Sequence, residues 1–598
     1  MITLPVSPKA RLYIISSFVS IGGFLYGLDN GIVSACLVMP SFQNTFGVQN
    51  PADLDGIAAM GLAYLTAIFS SLTTGYFIDR LGRKKIFYIA SIIHITGSII
   101  QVASNTLSVF LVGRGVSGIA LGIYSLLIPL YQSELAKASN RGRMICIYQI
   151  GTTMGSCVAF WMCFGTFYFS ENNNWKIPFA VQLIPPLIML SGLWAIPESP
   201  RWLIYREHYD EAKYILEQLR DKTDGDMDAR MEFTGIVQDV SFDKIYTTNP
   251  YTALFQTGTT NYRRRTLLGI GIHAFTQLTG INALLYYLPD VLEAAGIKYR
   301  HTALIGNCVG GSVSFLATLP IFFYIDRLDR RLIMTAGALV MGISLVVISA
   351  VTARFAERIV THGSDVYQGM DFSSTTYLSS EAATYVILVF LIIFFSGFSL
   401  SWGSMGWIYP AEIYPQLIRA NAMGVTTASS YLFNLIITII SPFMFRSILW
   451  GAYLFYGLFC FIIICAVRRF YPETKRKPLE EINLVFSGAL VDKQPGAHHP
   501  TTAAEALLRM EQLRYRDRCL KYEQSIQEFD DMCRPTNRLN STPSGCVSIS
   551  MPEGRPYRPP LNQMTPISEH STEEHSTLNN HRPLIVPPNL DTVHPTHT

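Results

Sequence analysis

The chain has 598 residues, 49% of them hydrophobic and only 15% charged, with a net charge of +3. That balance excludes an ordinary soluble globule, and apolar residues gathered in long blocks point to the bilayer. The small positive charge is no sign of a nucleic-acid partner, because its distribution follows membrane topology.

A bilayer core takes about 20 apolar residues per helix. Twelve blocks meet that length: 12–37, 54–78, 86–103, 107–130, 144–167, 177–196, 266–288, 303–325, 332–351, 382–408, 422–445 and 449–467. Lys and Arg collect in alternate loops (80–85, 137–143, 263–265, 327–331 and 468–477), whereas Asp53 and Asp55 dominate the first loop on the other side. Basic short loops stay cytoplasmic, so both termini are expected in the cytoplasm of a protein of the plasma membrane. Lys9 and Arg11 precede a first span too long for a cleaved signal peptide, which makes it a signal anchor. The ten cysteines show neither metal spacing nor a disulfide framework, and no nucleophile-and-base pattern of an enzyme stands out.

The expected fold is an all-α membrane protein with twelve transmembrane helices. Residues 1–196 form a six-helix bundle, 197–265 a cytoplasmic helical linker, 266–470 a second bundle, and 471–598 a mostly disordered cytoplasmic tail.

The first span carries Gly22, Gly23, Gly27 and Gly31, which allow close helix packing, together with Asp29. A carboxylate in the bilayer is expensive and marks function when its partner can be named. Arg114 in the fourth span is that partner: at 1.5 Å per residue Asp29 lies ~12 Å and Arg114 ~10 Å below the outer surface. A static pair joining two helices and a pair that loosens when Asp29 takes up a proton both fit this placement. Between spans two and three runs Gly75-Tyr-Phe-Ile-Asp79-Arg80-Leu-Gly82-Arg83-Lys84-Lys85, and Phe322-Phe-Tyr-Ile-Asp326-Arg327-Leu-Asp329-Arg330-Arg331 repeats it in the second half. Two equivalent halves each carrying one such turn make a parallel repeat of the transporter kind.

Gln149 is a lone amide in the fifth span; it faces either a neighbouring helix or a wet cavity. Beyond the sixth span, Pro197-Glu198-Ser199-Pro200-Arg201-Trp202-Leu203 opens a polar linker with a helical pattern over 209–220. In the seventh span, His273, Gln277 and Gly280 or Ile281 share one helical face, with Thr276 and Asn282 beside it. Amides both donate and accept, as sugar hydroxyls do, although an interhelical hydrogen-bond cluster without ligand fits equally. The tenth span carries Trp407 amid glycines and Pro410, a flat ring for a pyranose or an interfacial aromatic anchor. The tail beyond 482 includes a charged helical pattern over 501–531 that suits cytoplasmic regulators or a membrane surface, then a Pro/Ser/Thr/His-rich stretch expected to be disordered.

The loop at Gly75–Lys84 resembles the hallmark of the major facilitator superfamily, and PESPRWL, LTGIN (278–282) and Pro472-Glu-Thr-Lys475 resemble signatures of its sugar porters, of fungal type by the WKIPFAVQ and YYLP runs. The resemblance covers residues 10–482. It implies a carrier of a sugar or polyol by alternating access, with the proton as coupling ion and no cofactor; a uniporter or a non-transporting nutrient sensor of the same fold are alternatives. It also implies substrate roles for Gln149, Thr276, Gln277, Asn282, Trp407 and Asn434, an outer gate at Tyr286 and Tyr287, and proton coupling at Asp29 and Arg114. A cytoplasmic gate is implied at Asp79, Arg83, Lys84, Glu134, Arg141, Glu198, Arg201, Asp326, Arg330, Arg331, Glu412, Arg419 and Glu473, as individually weak carboxylate–arginine pairs. The chain departs from the pattern at Thr276 and Ser314, where amides are usual, which implies a substrate differing from a standard hexose. It departs again at Phe322 and Asp329, where the second turn lacks its glycines and its geometry is expected to change.

Overall fold

The computed structural model describes residues 7–48, 54–169, 173–220, 232–237, 250–256, 261–286, 300–360, 374–378, 380–448 and 450–475, with 240, 477, 482 and 486. Among them are twelve helical spans long and apolar enough to cross a membrane: Pro8–Cys36, Leu54–Leu81, Arg83–Ala103, Leu107–Leu135, Arg141–Phe167, Lys176–Ala195, Tyr262–Leu285, Leu304–Tyr324, Arg330–Phe355, Glu381–Ile413, Ile418–Phe445 and Trp450–Phe470. They are called spans 1 to 12 in that order. Each matches one block of the sequence. Large apolar side chains such as Phe69, Leu316 and Tyr385 point outward, as a lipid solvent permits.

The breaks in the spans have local causes. Span 6 divides into Lys176–Val181 and Ile184–Gly192, where Pro185 and Pro186 lack the N–H groups that would continue the first helix and instead start the second. Span 7 breaks at Gly280, whose φ of +85° lies in the left-handed region that residues with a Cβ avoid. A new helix, Ile281–Tyr286, starts there.

The linker lies on the face that bears the two basic turns, called the basic face below. Its helix Pro200–Tyr205 starts with the Ser199 hydroxyl accepting from the Trp202 N–H, and the Trp202 indole donates to the carbonyl of Asp79 at 3.0 Å. Arg220 closes a bidentate pair with Glu232 at 2.6 Å. The loop after span 9 contains an antiparallel pair of strands, Ala356–Val360 with Ser374–Leu378. The tail patterns over 501–531 and beyond lie outside the described residues.

Candidate functional site

A cavity of about 120 Å³ lies between the halves. Span 5 contributes Gln149, Thr152, Thr153 and Ser156, span 1 contributes Tyr26 and Asn30, and the second half contributes His273, Thr276, Gln277, Asn282, Trp407 and Ser430. Gln277 donates through Nε2 to Ser430 Oγ (3.3 Å) and accepts through Oε1 from Asn282 Nδ2 (2.6 Å). The Gly280 break makes this pair possible. On an unbroken helix Asn282 would sit beside the Gln277 face, as the spacing predicts; the left-handed residue turns it back onto Gln277 and into the wall. The Thr276 hydroxyl donates to the Ile272 carbonyl of its own helix (2.8 Å), so its remaining capacity toward the cavity is as an acceptor. Trp407 is held edge-to-face by Tyr148 (5.2 Å) and His273 (5.1 Å), which fix the indole plane.

Five of the six residues predicted for the substrate line this cavity. The sixth, Asn434, is buried one turn beyond Ser430 and is not among the wall residues. Tyr287 lies outside the described residues, and of Tyr286 only the backbone, the end of its short helix, is described. Ser314 lines the wall where an amide is usual.

The pair placed by depth forms. Arg114 Nη1 donates to Asp29 Oδ2 at 2.6 Å, and both are buried. Arg114 Nε also donates to the Ala59 carbonyl (3.0 Å), which fixes the guanidinium. Two partners had no place in the expected set. Gln182 on span 6 donates to Asp29 Oδ1 at 2.8 Å and stands 3.2 Å from His94 Nε2 on span 3. All four side chains are buried and none lines the cavity; the nearest wall residue in sequence is Asn30, next to Asp29. A lone histidine and a lone amide inside apolar spans are the signal that would have found them.

At the basic face the charges are organised differently from the expectation of individually weak pairs. Arg83 clamps Glu134 through Nε (2.9 Å) and Nη2 (2.7 Å), with Asp79 at 3.7 Å. Arg330 clamps Glu412 through Nη2 (2.8 Å) and Nε (3.4 Å), with Asp326 at 3.1 Å. Both arginines and both clamped glutamates are buried, so removing one partner would strand a charge out of water, a penalty of about 3–5 kcal/mol rather than that of a surface pair. Glu198 and Glu473, expected to pair with arginine side chains, bind backbone instead. Glu198 accepts from the N–H groups of Arg83 (2.9 Å) and Lys84 (3.1 Å), and Glu473 from those of Arg330 (3.0 Å) and Arg331 (3.1 Å). Each carboxylate thus occupies the N-terminus of the helix after its turn, where free N–H groups favour an anion. Burial holds Glu198 above its ordinary value of 4.5, only partly offset by the N–H groups of Ser199, Lys84 and Arg83.

The remaining predicted basic-face residues are placed as follows. Lys84 Nζ donates to the carbonyls of Trp194 and Ile196, and Arg331 to that of Arg468. Arg419 donates twice to the Tyr414 carbonyl and lies within electrostatic reach of Glu134 across the halves. Arg141 and Arg201 are buried. Asp326 also reaches the other half, accepting from the Arg143 N–H at 3.1 Å with the Arg143 guanidinium at 3.7 Å. Arg143 had not been singled out. These contacts join the halves at the basic face.

Comparison with known proteins agrees with this geometry. A family profile described as "Sugar (and other) transporter" matches residues 15–486. The sugar transporter STL1 of Saccharomyces cerevisiae is 29% identical, over 81% of this chain and 82% of its own length. The high-affinity glucose transporter of Kluyveromyces lactis is 27% identical, over 80% and 85%. Among solved structures, the proton:xylose symporter XylE bound to 6-bromo-6-deoxy-D-glucose superposes with a TM-score of 0.68 at 22% identity, over 80% of this chain and all of that one.

Proposed function

Because the chain belongs to the sugar (and other) transporter family, we propose that it carries a sugar or polyol across the plasma membrane by alternating access, in symport with protons, its basic face and both termini in the cytoplasm. The observation that carries this reading is the cavity between the halves, walled by amides and hydroxyls from both. A solute there touches spans 1 and 5 on one side and spans 7, 10 and 11 on the other, so binding and the relative position of the halves are coupled. Gln149, Gln277 and Asn282 exchange hydrogen bonds with solute hydroxyls, and Trp407 offers its ring to the apolar face of the sugar.

The basic-face clusters form the cytoplasmic gate. Asp326 with Arg143, and Glu134 with Arg419, hold the halves together there, and each cycle must separate them. No cofactor takes part; the coupling ion is a proton on Asp29. Neutralising that carboxylate removes its attraction for Arg114 and leaves spans 1 and 4 freer to shift. The names of the relatives support a sugar as substrate, and the Thr276 and Ser314 side chains support one that differs from a standard hexose.

The test is Asp29→Asn in cells lacking their own sugar carriers, assayed with labelled hexoses, pentoses, disaccharides and polyols. Uphill accumulation should disappear while counterflow exchange of the same solute persists. Accumulation at the parental level would refute coupling at Asp29, and no saturable flux of any solute by the parent chain would refute transport.

A further inference from the structure

On the basic face, between the start of span 7 and the end of span 12, the surface opens into a second cleft of about 490 Å³ that shares no lining residue with the central cavity. One wall follows span 7 from Arg263 and Arg264 through Leu267 and Gly271 to Phe275, and the other carries Phe470. From Arg263 to Phe275 is ~18 Å at 1.5 Å per residue, close to one leaflet of a ~30 Å hydrocarbon core. The cleft is apolar along its length and cationic at one end only.

Leu267 is 58% exposed and Phe470 57%, on spans that lie in lipid. The Tyr471 hydroxyl donates to the Leu268 carbonyl (2.9 Å) and packs where a side chain on residue 271 would stand, so the floor is finished rather than a packing defect. At the mouth, Arg263 and Arg264 are exposed, and neither pairs with a carboxylate among the described residues. The Arg264 guanidinium lies 5.8 Å from the Phe486 ring, a contact that leaves its charge unneutralised. Exposed Arg469 adds a further cation beside Phe470.

We propose that this cleft binds an anionic phospholipid of the adjacent leaflet, its phosphate held by Arg263 and Arg264 and one acyl chain laid along Leu267, Gly271 and Phe275. A planar guanidinium takes two phosphate oxygens at once, and unpaired arginines at a membrane surface attract anionic headgroups. A zwitterionic lipid fills the same groove but leaves the charge of the arginines uncompensated. The site braces the root of span 7, the helix that carries Gln277, and does not depend on what the central cavity takes up.

The full-length protein, purified in detergent, is titrated with dioleoyl phosphatidylinositol, with dioleoyl phosphatidylcholine and with inorganic phosphate while its thermal unfolding is followed. Phosphatidylinositol should raise the midpoint by several degrees, and the other two should not. Arg263→Gln with Arg264→Gln should weaken the apparent affinity roughly 30-fold. Ala466 of span 12 also lines the cleft; Ala466→Trp, which fills the cleft and keeps the charges, should abolish the response, and Arg354→Gln on the opposite face should preserve it. The proposal is overturned by an equal shift with phosphatidylcholine, by inorganic phosphate reproducing the shift, or by an unchanged response in the double variant. Indifference of the parent protein to every addition would mean that another part of the chain already holds the cleft, and would overturn it too.

Discussion

The two basic turns are related by the internal repeat but are built on different backbones. In the first half, Gly82 sits at φ +90°; its counterpart Asp329 sits at φ −71° and ψ 137°, ordinary extended backbone. Yet the same three parts assemble around both. A glutamate from the following polar segment, Glu198 or Glu473, accepts the first N–H groups of the next helix, and an arginine, Arg83 or Arg330, clamps a buried glutamate, Glu134 or Glu412. A hydroxyl completes the set, with Ser199 bonded to Glu134 and Thr474 donating to Glu412 at 2.5 Å. Glycine is therefore a feature of one turn's path, whereas the carboxylate–arginine clamp is common to both. The halves also differ in reach: Asp326 contacts Arg143 of the other half, while Asp79 stays by Arg83 and is 30% exposed in its side chain.

Arginine removal should break this comparison most forcefully. Arg330→Ala removes the clamp from buried Glu412 and leaves buried Asp326 with Arg143 alone among its two arginines, and should destabilise the purified protein by about 3–5 kcal/mol in thermal or denaturant unfolding. Arg83→Ala removes the clamp from buried Glu134, which keeps Ser199 and the nearby Arg419, and a 3.7 Å contact from the part-exposed Asp79, so its loss should be the smaller; the reverse order would contradict this ranking. The turns themselves come next. Gly82→Ala forces a Cβ into the left-handed region, 2.8 Å from Glu198 Oε2, and should cost about 1–2 kcal/mol. Asp329→Ala removes only an exposed bridge to Lys475 and should stay within about 0.5 kcal/mol. Matching losses at the two positions would contradict the backbone difference.

The smallest effect is one of pH. Burial raises Asp326 above its ordinary value of 3.8, outweighing the opposing pull of Arg330. A carboxyl that titrates higher when shut between the halves than when it meets water binds its proton preferentially in the shut state. Protonation weakens the pull of Asp326 on Arg143 but relieves the burial of its charge, and the raised value means that the relief is the larger; acidification through that value should thus favour closure of the basic face, fully so below 3.8, and returning to neutral pH should reverse it. Labelling of a cysteine introduced beside Arg143 should fall with acidification in the parent, and Asp326→Asn should flatten that dependence; an unflattened profile would assign it to another group.

Block length and loop charge were enough to place all twelve spans, because the bilayer imposes the same length on each. The Asp29–Arg114 pair was also legible, since helical rise alone puts both at one depth. Less visible was anything that depends on a change of direction. Asn282 reaches Gln277 because Gly280 interrupts the helix, and a wheel drawn through the break misplaces it. Gln182 and His94 escaped for another reason: no periodicity says which neighbouring helix a lone polar side chain will meet. The burial of the arginine clamps was hidden as well, because charged residues at the ends of spans look like surface until the halves are packed together.

Asp29 and Asn30 are consecutive residues of one rigid helix, about 100° apart around its axis. Asn30 looks into the solute chamber and accepts from the Tyr64 hydroxyl at 3.0 Å, while Asp29 faces away from the chamber, into the buried cluster with Arg114, Gln182 and His94. A helix cannot swivel one of these side chains and leave the other behind. The rod works like a camshaft: a few degrees of roll under load in the chamber appears, undiminished, as strain on the hidden carboxylate.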